Sequence, residues 1–237
     1  MIESVNNEKI IKYSKLNNKK YREEYGLFLV EGEHLVKEAV NKGLILEIFL
    51  LNGEIKLFDN TTFVTYEVLK KLTSLKTPPK IIAVCQKLKS REFKGNIVML
   101  DNISDPGNLG TIIRSAVAFN YETIILSPNT VDLYNPKVIR ATEGMLFNIN
   151  IIIADLTKSI QKLKNENYLI VGTDVKNGQS PRKISKKHAL IIGSEGKGVN
   201  KNILALTDYN LYIKMNSLCE SLNAGVSASI LMNLLNM

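Results

Sequence analysis

Six short runs in the latter part of the chain are apolar almost from end to end, and they constrain the fold more than any other feature. They cover residues 97–103, 123–126, 148–153, 168–172, 189–192 and 211–215. A strand with one wet face alternates polar and apolar residues, whereas a strand covered on both faces does not, and unbroken runs belong to parallel sheets. Between the runs, apolar residues recur at helical spacing over 109–120, 136–142, 155–165, 197–206 and 220–235. Strand and helix in alternation predict an α/β domain built on a parallel sheet.

The first ninety residues predict a second, smaller α/β domain. Strands are expected over 27–30, 44–51, 62–66 and 81–85, with a helix over 31–42 closed by Gly43 and another over 67–75 stopped before Pro78 and Pro79. The polar stretch 86–95 reads as a linker, which divides the chain into domains at 1–90 and 91–237. Residues 6–20 predict one short amphipathic helix, with Ile10, Ile11, Tyr13 and Leu16 as its apolar members. Lys9, Lys12, Lys15, Lys19, Lys20 and Arg22 lie near its exposed side. Two readings of that basic face stand level, an RNA-backbone contact and a solvated helix surface.

Composition limits the partners. The chain has 237 residues and a formal charge of +8, from 31 Lys and Arg against 23 Asp and Glu. A basic surplus favours a polyanionic partner, because neutralising phosphates releases counterions. Two cysteines, Cys85 and Cys219, and two histidines, His34 and His188, are too few for a disulfide framework or a zinc site. Cys219 reads as a small buried residue and His34 as a helix-surface one. No apolar run reaches the roughly 20 residues that span a bilayer. The N-terminal segment lacks the apolar core of an export signal, so a cytoplasmic setting with no membrane contact is expected.

Three clusters carry the chemistry. The first is Asp101 to Arg114, DNISDPGNLGTIIR, a strand end and tight turn leading into a helix, with Asn108 at the expected N-cap and Arg114 along the helix. Free N–H groups at such a helix start, with an arginine nearby, suit an anion. The second is Gly193-Ser194-Glu195-Gly196-Lys197-Gly198 after an apolar strand. Gly193 and Gly198 have the spacing of a phosphate-cradling loop, but Val199 and Asn200 stand where that loop requires other residues, and no G-x-G-x-x-G fingerprint occurs. An acid inside a glycine turn suits either orientation of a substrate hydroxyl or capping of a helix. The third runs from Ile213 through Met215 and Cys219 to Ser221-Leu222-Asn223, entering a helix rich in small residues: Gly225, Ser227, Ala228 and Ser229.

In this order, N-x-G-x-x-x-R from Asn108, G-x-E-x-x-G from Gly193 and S-L-N from Ser221 resemble the SpoU (TrmH-type) RNA ribose methyltransferases of the SPOUT superfamily. The segment Asn135-Pro136-Lys137-Val138-Ile139-Arg140-Ala141 fits that family too. LFLVEGEHLVKEAV resembles the small substrate-binding domain often fused in front of it. The resemblance implies an α/β fold: a C-terminal parallel-sheet SPOUT domain with a trefoil knot, preceded by a small α/β RNA substrate-binding domain. It implies S-adenosylmethionine as cofactor, a homodimer, and methyl transfer to a ribose 2′-hydroxyl, with ribosomal RNA favoured over transfer RNA. It places catalysis at Asn108, Arg114, Glu195 and Asn223. Cofactor contacts fall at Thr173, Gly193, Ser194, Glu195, Gly198, Ile213, Met215, Ser221 and Leu222, and no metal is implied. Four other readings compete: a non-catalytic RNA-binding protein of the same fold, a transfer-RNA ribose methyltransferase, a base methyltransferase, and a dehydrogenase, which the missing fingerprint disfavours.

Overall fold

In a computed structural model, residues 1–175 and 177–236 are described. The chain divides into two compact units, Met1–Lys89 with Asp132–Phe147, and Ser90–Val131 with Asn148–Met237.

In the first unit a four-stranded sheet has the order β1 (Leu27–Glu31), β4 (Ile81–Gln86), β2 (Ile45–Leu51), β3 (Thr61–Val64). β4 pairs antiparallel with both neighbours, while β2 and β3 run parallel. One face packs Leu27, Leu29, Phe49, Ile82 and Val84 against α1 (Glu8–Ser14), a 3-10 turn at Lys15–Asn17, and α4 (Tyr66–Leu72). On β1, Phe28 points to the other face, where its ring lies 4.7 Å from Tyr134 and 6.5 Å from Phe147. α3 (Glu33–Asn41) ends as its sequence indicates, with Gly43 at φ +66 just beyond it.

The single helix expected over 6–20 is instead two helices and the 3-10 turn. Asn18 is extended, and its side chain accepts from the Lys20 N–H, so it caps α2 (Lys19–Tyr25) and breaks the run. Arg22, expected near the exposed side, is only 4 % exposed; its Nε and Nη2 bond Asp132, and its Nη1 donates to the Leu16 carbonyl at 2.7 Å. α6 (Pro136–Ala141) starts at an Asn135 cap, and its Arg140 donates to Glu31 at 2.9 Å. Glu31 is buried and also accepts from Thr73 Oγ1 at 2.8 Å.

The second unit holds the expected parallel sheet. Its order is β10 (Tyr209–Leu211), β8 (Leu169–Thr173), β9 (His188–Gly193), β5 (Asn96–Asp101), β6 (Tyr121–Leu126), β7 (Asn150–Ile153), parallel throughout. Ile97 and Met99 face a core shared with Leu156, Ile160 and Leu163 of α7 (Leu156–Asn165) and Ile203 of α8 (Lys201–Leu204). Val98 and Leu100 alternate to the opposite face. There α5 (Pro106–Ala118) contacts β6, α9 (Ala224–Asn236) contacts β9, and the two helices pack on each other.

Several expected elements are shorter, three of them at the second and third clusters. The helix over 197–206 shrinks to α8, because Gly198 turns at φ +65 and Asn200 caps the helix only at 201. The strand over 211–215 stops at Leu211, where its pairing with β8 ends at Thr173. The helix over 220–235 begins at Ala224.

Candidate active site

In a parallel sheet all strands end on the same side, and ligands gather at their carboxyl ends. Register places the clusters there. Asp101, the last residue of β5, pairs with Gly193, the last of β9, and Thr173 of β8 pairs with Leu211 of β10. The first two clusters therefore leave the sheet side by side.

The first turn of α5 is built by Asp105 and Pro106. Asp105, not Asn108, is the N-cap: its Oδ1 accepts from the Asn108 N–H at 2.8 Å, and Pro106 follows at the first helical position. This frees the Asn108 side chain, which is nearly buried and donates through Nδ2 to Glu195 Oε1. Residues 87 positions apart are thus joined directly.

Glu195 is exposed at the tip of a tight hairpin. The Gly198 N–H donates to the Ser194 carbonyl at 2.9 Å, and Ser194 and Gly198 form an antiparallel bridge. Gly193 makes the turn-back possible, since an added Cβ would fall on the Gly198 carbonyl carbon and the Val199 nitrogen. Asp101, a residue that sequence reasoning did not single out, anchors the far side of this loop. It is 3 % exposed, accepts from the Asn200 N–H at 2.7 Å through Oδ2, and accepts from Asn102 Nδ2 at 2.7 Å through Oδ1. The available signal was a carboxylate closing an apolar strand.

The third cluster has no regular secondary structure from 212 to 216, then turns at Asn216, whose side chain accepts from Leu218 N at 2.9 Å and whose carbonyl accepts from Cys219 N at 2.9 Å. Cys219, expected to be buried, is exposed, and its Sγ donates to the Ser221 carbonyl at 3.3 Å. Ile213, Met215 and Leu222 are half-buried and Ser221 is exposed. The main-chain polar groups of Ile213, Lys214, Met215 and Leu222 pair with no other described residue. Asn223 caps α9, with Oδ1 accepting from Val226 N at 3.2 Å. A Cβ on Gly225 would lie 3.2 Å from both Asn223 Oδ1 and Thr111 Cβ of α5. The small residues of α9 therefore lie close against α5, and the contact extends to Ser115 Oγ and Ser229 Oγ, 2.6 Å apart. Thr173 donates to the Ile191 carbonyl at 3.0 Å. Arg114 is exposed on α5 and pairs with no described residue.

The family model described as SpoU rRNA Methylase family matches residues 95–233. The chain belongs to the SpoU rRNA methylase family. Residues 7–83 match a second model, the MRM3-like substrate binding domain. Among curated relatives, the 23S rRNA (guanosine(2553)-2′-O)-methyltransferase RlmP of Bacillus subtilis is 35% identical, over 97% of this chain and 96% of its own. Among solved structures, an AdoMet-bound rRNA methyltransferase from Sinorhizobium meliloti superimposes with a TM-score of 0.85 at 25% identity, covering 98% of this chain and 95% of that one. An RNA 2′-O ribose methyltransferase gives 0.83 at 26% identity, over 98% and 96%. The SpoU match spans all three clusters, and the SpoU members share the α/β architecture with its six-stranded parallel sheet.

Proposed function

We propose that the protein transfers a methyl group from S-adenosylmethionine to a ribose 2′-hydroxyl of ribosomal RNA. The observation that carries this reading is the Asn108–Glu195 hydrogen bond, which joins two of the three family motifs at the carboxyl ends of adjacent strands. The likeness to RlmP supports ribosomal RNA as the substrate. Residues 1–90 serve as the RNA substrate-binding domain and 91–237 as the methyltransferase domain. The chain beyond β10 threads a trefoil knot, a reading supported by the return of α9 to pack beside α5. The working form is a cytoplasmic homodimer. Among the described residues no helix is long and apolar enough to cross a membrane.

The third cluster fits the cofactor. Main-chain N–H and C=O groups at Ile213, Met215 and Leu222 that pair with no described residue, between half-buried apolar side chains, suit a flat heterocycle with a hydrogen-bonding edge. Thr173, Gly193, Ser194, Gly198 and Ser221 complete the binding edge. When bound, S-adenosylmethionine supplies a methyl group on a sulfonium, already activated toward an oxygen nucleophile. The protein's own part is alignment and charge. Asn108 holds the Glu195 carboxylate, which takes the hydroxyl proton directly or through water. Arg114 is a cation suited to offset charge developing on the oxygen and to grip the neighbouring phosphate. Asn223 fixes the start of α9 beside α5.

The test uses purified protein, tritiated S-adenosylmethionine, and separate pools of unmodified ribosomal and transfer RNA, followed by alkaline hydrolysis. A methylated 2′-oxygen blocks alkaline cleavage, so label in alkali-resistant dinucleotides from ribosomal RNA is the expected result. Label confined to transfer RNA would change the substrate. Label in mononucleotides would mean base methylation, and no label in either pool would leave a non-catalytic binder.

A further inference from the structure

Between Lys9 and Arg22 the chain carries six basic residues and no acidic one. Two are engaged within the first unit: Lys9 pairs with Glu47 at 3.1 Å, and Arg22 is buried against Asp132. Lys12, Lys15, Lys19 and Lys20 are exposed and form no ion pair with a described residue. Glu23 is turned to Lys87 at 2.8 Å, and Glu24 pairs with none of the four. Glu8, Glu23 and Glu24 each stand four residues from one of these lysines, yet none of them forms an ion pair with it, so the four ammonium groups stay uncompensated by the spacing that usually pairs a solvated helix face.

The lysines are also interleaved with rings. Lys12 Nζ lies 5.4 Å from the Tyr25 centroid, and Lys15 and Lys20 Nζ lie 5.4 Å and 5.8 Å from the Tyr21 centroid. The Tyr21 and Tyr25 rings are 5.9 Å apart, and both are half-buried. Three ammonium groups thus surround two adjacent aromatic rings, all supplied by α1, α2 and the turn between them. Cations that track a phosphate backbone beside rings that stack bases are what unpaired nucleic acid needs. A duplex keeps its base faces stacked inside and has no use for the rings. An acidic peptide would use the cations alone.

We propose that Lys12, Lys15, Lys20, Tyr21 and Tyr25 form a docking surface for unpaired nucleotides of the RNA substrate, with bases stacked on the tyrosines and phosphates held by the lysines. The inference rests on the RNA reading above and specifies how the first unit takes hold of that RNA.

The test measures binding of the full-length protein to a short fluorescent single-stranded RNA and to the duplex of the same sequence, across a salt series. Tyr21→Ala is expected to weaken single-strand binding roughly tenfold and leave duplex binding unchanged, while Tyr21→Phe binds like wild type. The Lys12→Ala/Lys15→Ala/Lys20→Ala variant should flatten the slope of log affinity against log salt by about 2 for single strands. S-adenosylmethionine affinity, unchanged in each variant, reports that the fold is intact. Wild-type single-strand binding by Tyr21→Ala, or a preference for duplex, would overturn the proposal. Equal displacement of the RNA by polyglutamate would do so too, by marking the patch as a site for acidic protein. Methyl transfer by the wild type is scored separately. Loss of binding in the variants with no transfer by the wild type would sink the catalytic reading and leave this surface standing.

Discussion

Asp101 Oδ2 accepts a 2.7 Å hydrogen bond from the main-chain N–H of Asn200, so a carboxylate on one strand end holds the exit of the glycine hairpin that follows the next strand. The hairpin carries Glu195, and Glu195 meets Asn108 in the first turn of the helix that follows Asp101's own strand. The two connections close a ring: β5, Asn108, Glu195, Asn200 and back to Asp101. Asp101→Ala removes the acceptor of two donors, the Asn200 N–H and Asn102 Nδ2, at a cost of about 1.5–3 kcal/mol by thermal or urea unfolding. Because the hairpin sits at the proposed cofactor edge, the KM for S-adenosylmethionine should rise at least roughly tenfold. A stability loss with unchanged KM would show that Asp101 serves the fold alone.

Glu195→Gln keeps an oxygen for Asn108 and removes the charge. If the carboxylate accepts the hydroxyl proton, kcat falls by about 10²–10⁴ with little change in the affinity for S-adenosylmethionine or RNA. Single-turnover labelling of RNA by the variant checks this. Wild-type turnover would transfer the proton to water and leave Glu195 a positioning role.

Gly193→Ala puts a methyl group where the Gly198 and Val199 main chain passes, and main chain cannot step aside as a flexible side chain can. The expected cost is about 1–3 kcal/mol, with weakened S-adenosylmethionine binding by titration calorimetry. The neighbouring Gly196 has nothing within 4 Å of an added Cβ, so Gly196→Ala should bind as wild type does.

What could be read from the sequence tracks how local its cause is. β5, β6 and β9 announce themselves because burial on both faces is written in consecutive apolar residues. The first two clusters lie at the ends of β5 and β9 for the same reason, whereas Ile213 and Met215 of the third, expected at the end of a strand, lie beyond β10. The apolar spacing suggests Asn108 as the cap of α5, but Pro106 at the first helical position marks Asp105 instead. The apolar residues 211–215 lacked what makes a strand, a partner beyond Thr173, and no local pattern records that. Arg22 is the clearest case. Its neighbours in sequence are lysines and glutamates, and its burial is set by Asp132, 110 residues away.

That pair gives its own prediction. Arg22 and Asp132 are both largely withdrawn from water, with side chains 4% and 12% exposed. Removing either partner leaves the other charge buried and uncompensated, which costs about 3–5 kcal/mol. Arg22→Ala and Asp132→Ala should each unfold the first unit at lower denaturant. The double variant should lose less than the sum of the two, because the second change removes the stranded charge. Additive losses would mean that the two charges act independently.

His188 sets the response to acid. Its ring is fully buried, with Nε2 2.7 Å from Tyr121 Oη and Nδ1 3.1 Å from the Lys186 carbonyl. Burial lowers its pKa below the ordinary 6.5, against a smaller opposing pull from the Lys186 carbonyl. The folded protein thus holds the imidazole neutral where the unfolded chain would protonate it, so on acidification the unfolded state binds more protons. The stabilisation is complete above about pH 6.5 and drains away as the pH falls from there towards the folded-state pKa. The melting temperature should therefore fall between about pH 8 and pH 5, most steeply below pH 6.5. His188→Gln cannot titrate, so its melting temperature should start lower and fall less over the same interval. Parallel curves for the two proteins would assign the acid sensitivity to other groups.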